Sequence, residues 1–423
     1  EQRLFTFEES ILGIPGTQFD SINRRTSPGY PAVVTDPKGN KGKTWYFGDG
    51  DEFDLNSEAC NSLRKDVMSS ITNAENLIRD EHVFLDCLKD ETRPIEKVEA
   101  FKTRLISASP LKLLIMYRMY FGAYMLWYKM NRIYNESAIG VNVFSEEWEL
   151  MAKVLTRLSP GKSRGVGAGD QSKFDGSEKP AIHNEILNII NDWYDDSEEN
   201  KNVRKVLWLE LTNSYHVQGD CIYEWYTSLP SGHPLTPIVN TMYNCIAFRY
   251  CWLRAYENDS EKYNFDERVN LLVLGDDNVF SVHENNRATF NEVVIGKYMA
   301  EIGLTYTSET KDGLNENLRH LSEVEFLKRS WRYEPIVGRH VAPLRIDGLI
   351  DTIGWTKRGN QSDKITEDKI DTAHRELSLH GKSVFEHWSP IISKKSQENI
   401  GYWPKTTSFI RNLTEVCDKE EFC

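Results

Sequence analysis

A chain of 423 residues is long enough for two or three lobes around a sizeable core, and its 27% charged and 11% aromatic content excludes a disordered polypeptide. A net charge of −13 argues against a protein that coats nucleic acid without specificity, while leaving room for an enzyme that holds it in a locally basic channel. The seven cysteines are scattered and contain no Cys-x-x-Cys, and the ten histidines never form His-Glu-x-x-His. This is a reduced, intracellular pattern with no zinc site. The chain opens on Glu1 and reads as a fragment or a processed product; it shows no internal repeat and no low-complexity linker.

Residues 1–60, rich in Gly, Pro and Asn, read as loops, including Thr26-Ser27-Pro28-Gly29-Tyr30-Pro31 and the acidic Gly48–Asp51 stretch, which no apolar strands frame. In the segment 89–106, cations fall at Lys89, Arg93, Lys97, Lys102 and Arg104. Spacing by four fits a salt-bridged helix surface, whereas Pro94 and its β-branched neighbours favour an extended or hairpin segment whose cations could line a path for triphosphates. The apolar run Leu111 to Met130 is interrupted by Lys112, Arg118 and Lys129, so it predicts a buried core helix rather than a membrane span.

The glycine-rich run 161–169 fails as a P-loop, because position 156 is Thr, and as a dinucleotide fingerprint, because position 170 is Asp. It leads into Asp170-Gln171-Ser172-Lys173-Phe174-Asp175, which puts Asp170 at a strand end and Asp175 just before a helix. That helix is expected from Ser177, with Pro180 near its first turn, to about Tyr194, and with Ile182, Ile186, Ile189, Ile190 and Trp193 on its apolar side. Two plain loop aspartates would look the same. Further on, Ser231-Gly232-His233-Pro234-Leu235 leads to Thr236 as N-cap and Pro237 as first residue of a long apolar helix to about Tyr256. Thr236 and Asn240, four apart, share one face at its start, although a solvent-facing Asn is an ordinary alternative.

Leu271 to Val282 holds two apolar runs around Gly275-Asp276-Asp277-Asn278, the pattern of a buried β-hairpin with an acidic turn. Adjacent carboxylates at such a tip repel and call for a cation, most simply a divalent metal; the plain alternative is an acidic surface turn. An amphipathic helix is expected over 287–302, closed by Gly303, then a strand at Leu304–Thr307 ending near Lys311. A short hairpin follows around Glu325–Trp331, and then helices that include 370–380 and 384–392.

An aspartate at a strand end, a polar helix start and an aspartate pair on a hairpin fit a two-metal phosphoryl-transfer site. From about Thr26 to the C-terminal helices, these strings and their order resemble the RNA-dependent RNA polymerases of positive-strand, picorna-like viruses. The tail 370–381 resembles the dicistrovirus-like or iflavirus-like side of that order. The resemblance implies that Asp170, Asp276 and Asp277 bind two Mg²⁺ ions, for which Mn²⁺ substitutes, with Asp276 the principal ligand. It implies that Asp175, Thr236 and Asn240 sense the ribose 2′-hydroxyl beside the flexible Ser231-Gly232 loop, and that Lys311 is general acid to the leaving pyrophosphate. Lys89, Arg93, Lys97 and Arg104 would hold the triphosphate, with Lys102 a weaker candidate, and Phe326-Leu327-Lys328-Arg329 would support the primer strand through Lys328 and Arg329. Where these viruses usually carry Tyr before Gly-Asp-Asp, this chain has Leu274, a position expected to pack. Its N-terminus is expected to be without the leading segment that bridges fingers and thumb in the family.

The expected fold is therefore α+β, a right-hand polymerase with an antiparallel-sheet palm backed by helices: fingers from 1–160 with a return at 196–224, palm from 161–195 and 225–340, thumb from 341–423. The expected partners are an RNA template and primer, NTPs and a small viral protein primer, with no intrinsic membrane span, in replication complexes of the host cytoplasm that reach membranes through partners. A reverse transcriptase and a catalytically silent RNA-binding relic are the rivals. The first is disfavoured by polar groups suited to a 2′-hydroxyl, and the second by intact aspartates and Lys311.

Overall fold

The computed structural model describes residues 2–39, 41–159, 161–355 and 363–418. Two sheets organise the larger part of the chain. One has strand order β2-β1-β4-β5, from β1 (Val83–Leu88), β2 (Leu105–Ala108), β4 (Tyr215–Gln218) and β5 (Cys221–Glu224). The other is wholly antiparallel, with order β6-β7-β3-β8, from β3 (Arg164–Ser172), β6 (Val269–Leu274), β7 (Asp277–Val282) and β8 (Thr305–Ser308); the short β9 (Arg319–His320) also pairs with β3. A separate hairpin joins β10 (Arg332–Glu334) to β11 (Arg339–Val341). The segment 89–106 forms the expected hairpin, with one short helix, Ile95–Glu99, between β1 and β2.

β3 shows how the sequence sets this arrangement. Side chains alternate across a strand. Val166 and Ala168 face a core shared with Leu272, Val279, Trp148 and Trp331, in which Leu274 also packs, as expected. The alternate positions, Gly165, Gly167 and Gly169, have no side chain because flat groups lie there. A Cβ would come within 2.4 Å of the Arg287 guanidinium, 2.4 Å of the Phe280 ring and 2.2 Å of the Tyr306 ring, respectively. The glycine run is a packing surface rather than a phosphate loop.

The Leu111–Met130 helix is buried over most of its length, and two of the cations within it, Lys112 and Arg118, are matched by protein. Lys112 pairs with Asp80 at 3.1 Å, and Arg118 donates to the carbonyls of Ser10 and Asp20 with its guanidinium 4.1 Å from the Phe19 ring centroid. No described helix is long and apolar enough to cross a membrane. The helices Ile346–Gly354, Asp363–Ser378, Lys382–Ile400 and Phe409–Cys417 close a core of their own around Leu377, Phe385 and Leu413.

Several boundaries differ from expectation. The helix after Asp175 begins at Pro180 rather than Ser177, whose hydroxyl instead donates to the Lys173 carbonyl at 2.9 Å, and Ile189 faces solvent while His183 and Leu187 are buried. The next long helix runs Thr236–Ala255 with Leu235 at the N-cap. Thr236 is its first residue, and its hydroxyl donates back to the Pro230 carbonyl at 3.0 Å. The amphipathic helix is Glu292–Glu301, five residues later than expected, because the Asn291 side chain caps it by accepting from the Val294 amide.

Candidate active site

β6 and β7 are joined by a two-residue turn between the paired Leu274 and Asp277. Gly275 sits at φ 65°, the first central position at which a tight hairpin of the II′ kind calls for glycine. The turn is gripped by the Thr236–Ala255 helix. Thr241 Oγ1 accepts from the Gly275 amide at 2.9 Å, and Asn244 Nδ2 donates to the carbonyls of Gly275 and Asp276 at 3.1 and 3.2 Å. β3 pairs with β7, so Asp170 arrives beside this tip, with its strand neighbour Gly169 opposite Asn278.

Carboxylate oxygens of Asp170, Asp276 and Asp277 all lie within 4.8 Å of one another. Asp276 is open at the tip and Asp170 and Asp277 are half-buried. Desolvation, then repulsion from Asp170, pushes Asp276 up to about 6, while desolvation and repulsion from Asp276 and Asp170 push Asp277 up to about 7. Lys328 and Lys311 oppose that rise at Asp277. Three hard oxygen donors, with the ionised forms of Asp276 and Asp277 disfavoured without a cation, match the chemistry of a magnesium or manganese site. Lys311, at φ 63°, places its ammonium 3.3 Å from Asp170 Oδ2.

Asp175 lies in a single 3₁₀ turn, Phe174–Gly176, and accepts from Asn240 Nδ2 at 2.6 Å. Burial raises its carboxyl above the usual range, against the Asn240 bond. Asn240 Oδ1 is buried without a hydrogen-bond partner, which leaves an acceptor at this spot. Ser231 and Gly232 form an exposed loop on β2, where the Ser231 carbonyl accepts from the Ser107 amide at 2.8 Å and Gly232 has φ 98°.

The basic segment is gathered by one carboxylate that the sequence reading passed over. Glu91 binds Arg104, with Nε at 2.7 Å, Arg93 at 3.0 Å and Lys89 at 3.5 Å, and these cations, Arg104 foremost, hold it down at about 2. The charge of Arg104 reaches Asp276, while Lys97 and Lys102 are exposed at the tip of the same segment. Lys328 and Arg329 part company. Lys328, in a tight turn with Leu327 (φ 61° and 55°), acts electrostatically on Asp277. The Arg329 guanidinium is committed to Glu376 at 2.8 and 2.9 Å and to the Ala342 carbonyl at 2.6 Å, so it ties this turn to the Asp363–Ser378 helix.

Thr241 and Asn244 also went unread in the sequence. Their signal was polar residues at 240, 241 and 244 in an apolar helix, all of them buried. Tyr306, whose hydroxyl donates to Asn278 Oδ1 at 2.9 Å beneath Gly169, is another residue of this kind.

Residues 13–397 match the family model described as viral RNA-dependent RNA polymerase. The chain is 36% identical to the replicase polyprotein of Drosophila C virus (strain EB), over 98% of its own length and 24% of the polyprotein. It is 34% identical to the replicase polyprotein of Acute bee paralysis virus (strain Rothamsted), over 95% and 21%, and 31% identical to the genome polyprotein of Deformed wing virus, over 84% and 12%. It thus spans about a quarter or less of these relatives. A solved structure, "Sicinivirus 3Dpol RNA dependent RNA polymerase", superimposes with a TM-score of 0.79 at 20% identity, covering 98% of this chain and 81% of that one. That likeness establishes the right-hand fold.

Proposed function

The chain belongs to the viral RNA-dependent RNA polymerase family, and we propose that it adds ribonucleoside monophosphates to an RNA 3′-hydroxyl on an RNA template, releasing pyrophosphate. The observation that carries this reading is the convergence of Asp170, Asp276 and Asp277 within 4.8 Å, with the Lys311 ammonium 3.3 Å from Asp170. Asp170, Asp276 and Asp277 would hold two Mg²⁺ ions, or Mn²⁺ in their place, which when bound activate the attacking hydroxyl and stabilise the leaving oxygen.

The chain's own groups supply the rest. The Glu91-centred cations hold the triphosphate as charge-assisted donors. Asp175 and Asn240 meet the ribose 2′-hydroxyl, whose single proton goes either to the Asp175 carboxylate or to the unpartnered Asn240 Oδ1. Lys311 keeps a proton beside Asp170 and delivers it to the departing pyrophosphate. Lys328 steadies the primer end, and Arg329 acts through its link to Glu376.

We divide the chain into fingers (1–160 and 196–224), palm (161–195 and 225–340) and thumb (341–423). Two features support this division: β4 pairs with β1 across the sequence gap, and the C-terminal helices keep a separate core. A small viral protein primer and a place in cytoplasmic replication complexes follow from the resemblance alone.

Primer extension on a homopolymeric RNA with Mg²⁺ or Mn²⁺, comparing NTPs with dNTPs, tests the reading. Metal-dependent NTP incorporation is expected. A dNTP preference would favour a reverse transcriptase, and RNA binding without extension would favour a relic.

A further inference from the structure

The turn that carries Asp175 is held from behind by a buried charged pair that the reaction itself does not use. Glu178 and His183 are 3% and 2% exposed, and Glu178 Oε2 lies 2.8 Å from His183 Nε2. At that distance the two atoms are joined by one hydrogen bond. Glu178 Oε1 and His183 Nδ1 have no other hydrogen-bond partner.

A buried carboxylate is an expensive way to fasten a turn, since an apolar residue would cost less desolvation. What the carboxylate adds is directionality and a charge coupled to Asp175. Burial pushes Glu178 up to about 7, and the charge of Asp175 adds to the rise.

The groups packed against the pair come from two helices. The His183 ring meets the Trp208 ring edge-on at 6.1 Å and the Tyr243 ring at 5.7 Å. Tyr243 takes the Lys179 amide on its hydroxyl at 2.8 Å and meets Phe174 edge-on at 5.5 Å. Asp175 is thus bracketed by Phe174 before it and by Glu178 and Lys179 after it. All three contacts converge on Tyr243, directly or through His183. Tyr243 stands three residues beyond Asn240, on the same side of its helix. One aromatic residue therefore registers both halves of the Asp175–Asn240 pair.

We propose that Glu178 and His183, acting with Tyr243, are positioning residues for ribose recognition: they fix the Asp175 carboxylate against Asn240, so that their loss relaxes selection for the 2′-hydroxyl. This rests on the polymerase reading. The test is single-nucleotide extension of an RNA primer by the full chain, comparing kcat/KM for an NTP with that for its 2′-deoxy counterpart. Glu178→Leu should lower the ratio about tenfold, through a raised KM for the NTP with the deoxynucleotide values unchanged. Glu178→Gln, whose amide oxygen can still accept from His183, should restore it. Tyr243→Phe removes only the hydroxyl that receives the Lys179 amide, and it should lower the ratio severalfold even if Glu178→Leu fails to fold.

Equal losses on both substrates in Glu178→Leu and Tyr243→Phe would mark the pair as structural only and overturn the inference. So would an unchanged ratio in folded variants of an unmodified chain that does incorporate NTPs. Absence of NTP incorporation by the unmodified chain would overturn the polymerase reading, and this inference with it.

Discussion

The aspartate cluster and the basic segment 89–106 are charged in opposite and unequal ways. In the cluster, three carboxylates crowd within 4.8 Å, and the ammonium of Lys311 is the one cation paired with them among the described residues. Two of the three are pushed up to about 6 and about 7. Along the basic segment, Lys89, Arg93 and Arg104 surround a single carboxylate, Glu91, which is held down at about 2. One region is short of positive charge and the other has an excess. A magnesium–triphosphate complex carries what each region lacks, and the two imbalances are complementary only while both are present.

The comparison breaks most completely at Asp276. Asp276→Asn should reduce metal-dependent extension by about a thousandfold or more, with RNA binding retained in a filter or anisotropy assay; unchanged extension would remove Asp276 from the metal site. Next comes the ammonium paired with Asp170. Lys311→Leu should lower kcat by about a hundredfold. Because Lys311 holds Asp277 down, its loss should also move the acid limb of the pH–rate profile to higher pH. A shift to lower pH would contradict the electrostatic account.

At the basic segment, Arg104→Ala should raise the KM for NTP by about tenfold, with a weaker dependence of KM on salt, and leave kcat nearly unchanged. The smallest effect is on stability. Asp277 titrates at about 7 in the folded chain against 3.8 for the free group. The folded state therefore holds a proton that the unfolded state has lost, and stability without metal falls as pH rises through that window. Asp277→Asn should raise the Tm of metal-free protein by about 1–3 °C at pH 8, and the gain should shrink by pH 5. Added Mg²⁺ should raise the Tm of the parent chain and not that of Asp276→Asn.

Much of this was legible locally. The apolar runs around Gly275-Asp276 that become β6 and β7, and the apolar stretch with three scattered cations, declare themselves within about twenty residues or fewer. Helix starts were read less well, because Thr236, Ser177 and Asn291 are all competent caps, and which of them acts depends on the nearby carbonyls and amides that the fold presents. The sequence showed that the glycines at 165, 167 and 169 did not make a phosphate loop. It could not show what they were for, because Arg287, Phe280 and Tyr306 reach them from far along the chain. Nor could the sequence show that Arg329 is held by Glu376, which lies far along the chain. Thr241 and Asn244 could not be told from solvent-facing residues until the hairpin tip lay against them.

The bare face of β3 has a consequence for inheritance. Every single-base change that alters the meaning of a glycine codon specifies a residue with a side chain, or a stop. At positions 167 and 169 even the smallest side chain meets an aromatic ring at 2.4 Å or less, one strand away from the turn that sets Asp276. Val166 and Ala168, on the opposite face, can be exchanged for other small apolar residues at modest cost. A genome copied with frequent errors would therefore carry, in this one strand, alternating codons that tolerate change and codons that do not. The forbidden ones would mark the side of the strand that Arg287, Phe280 and Tyr306 cover.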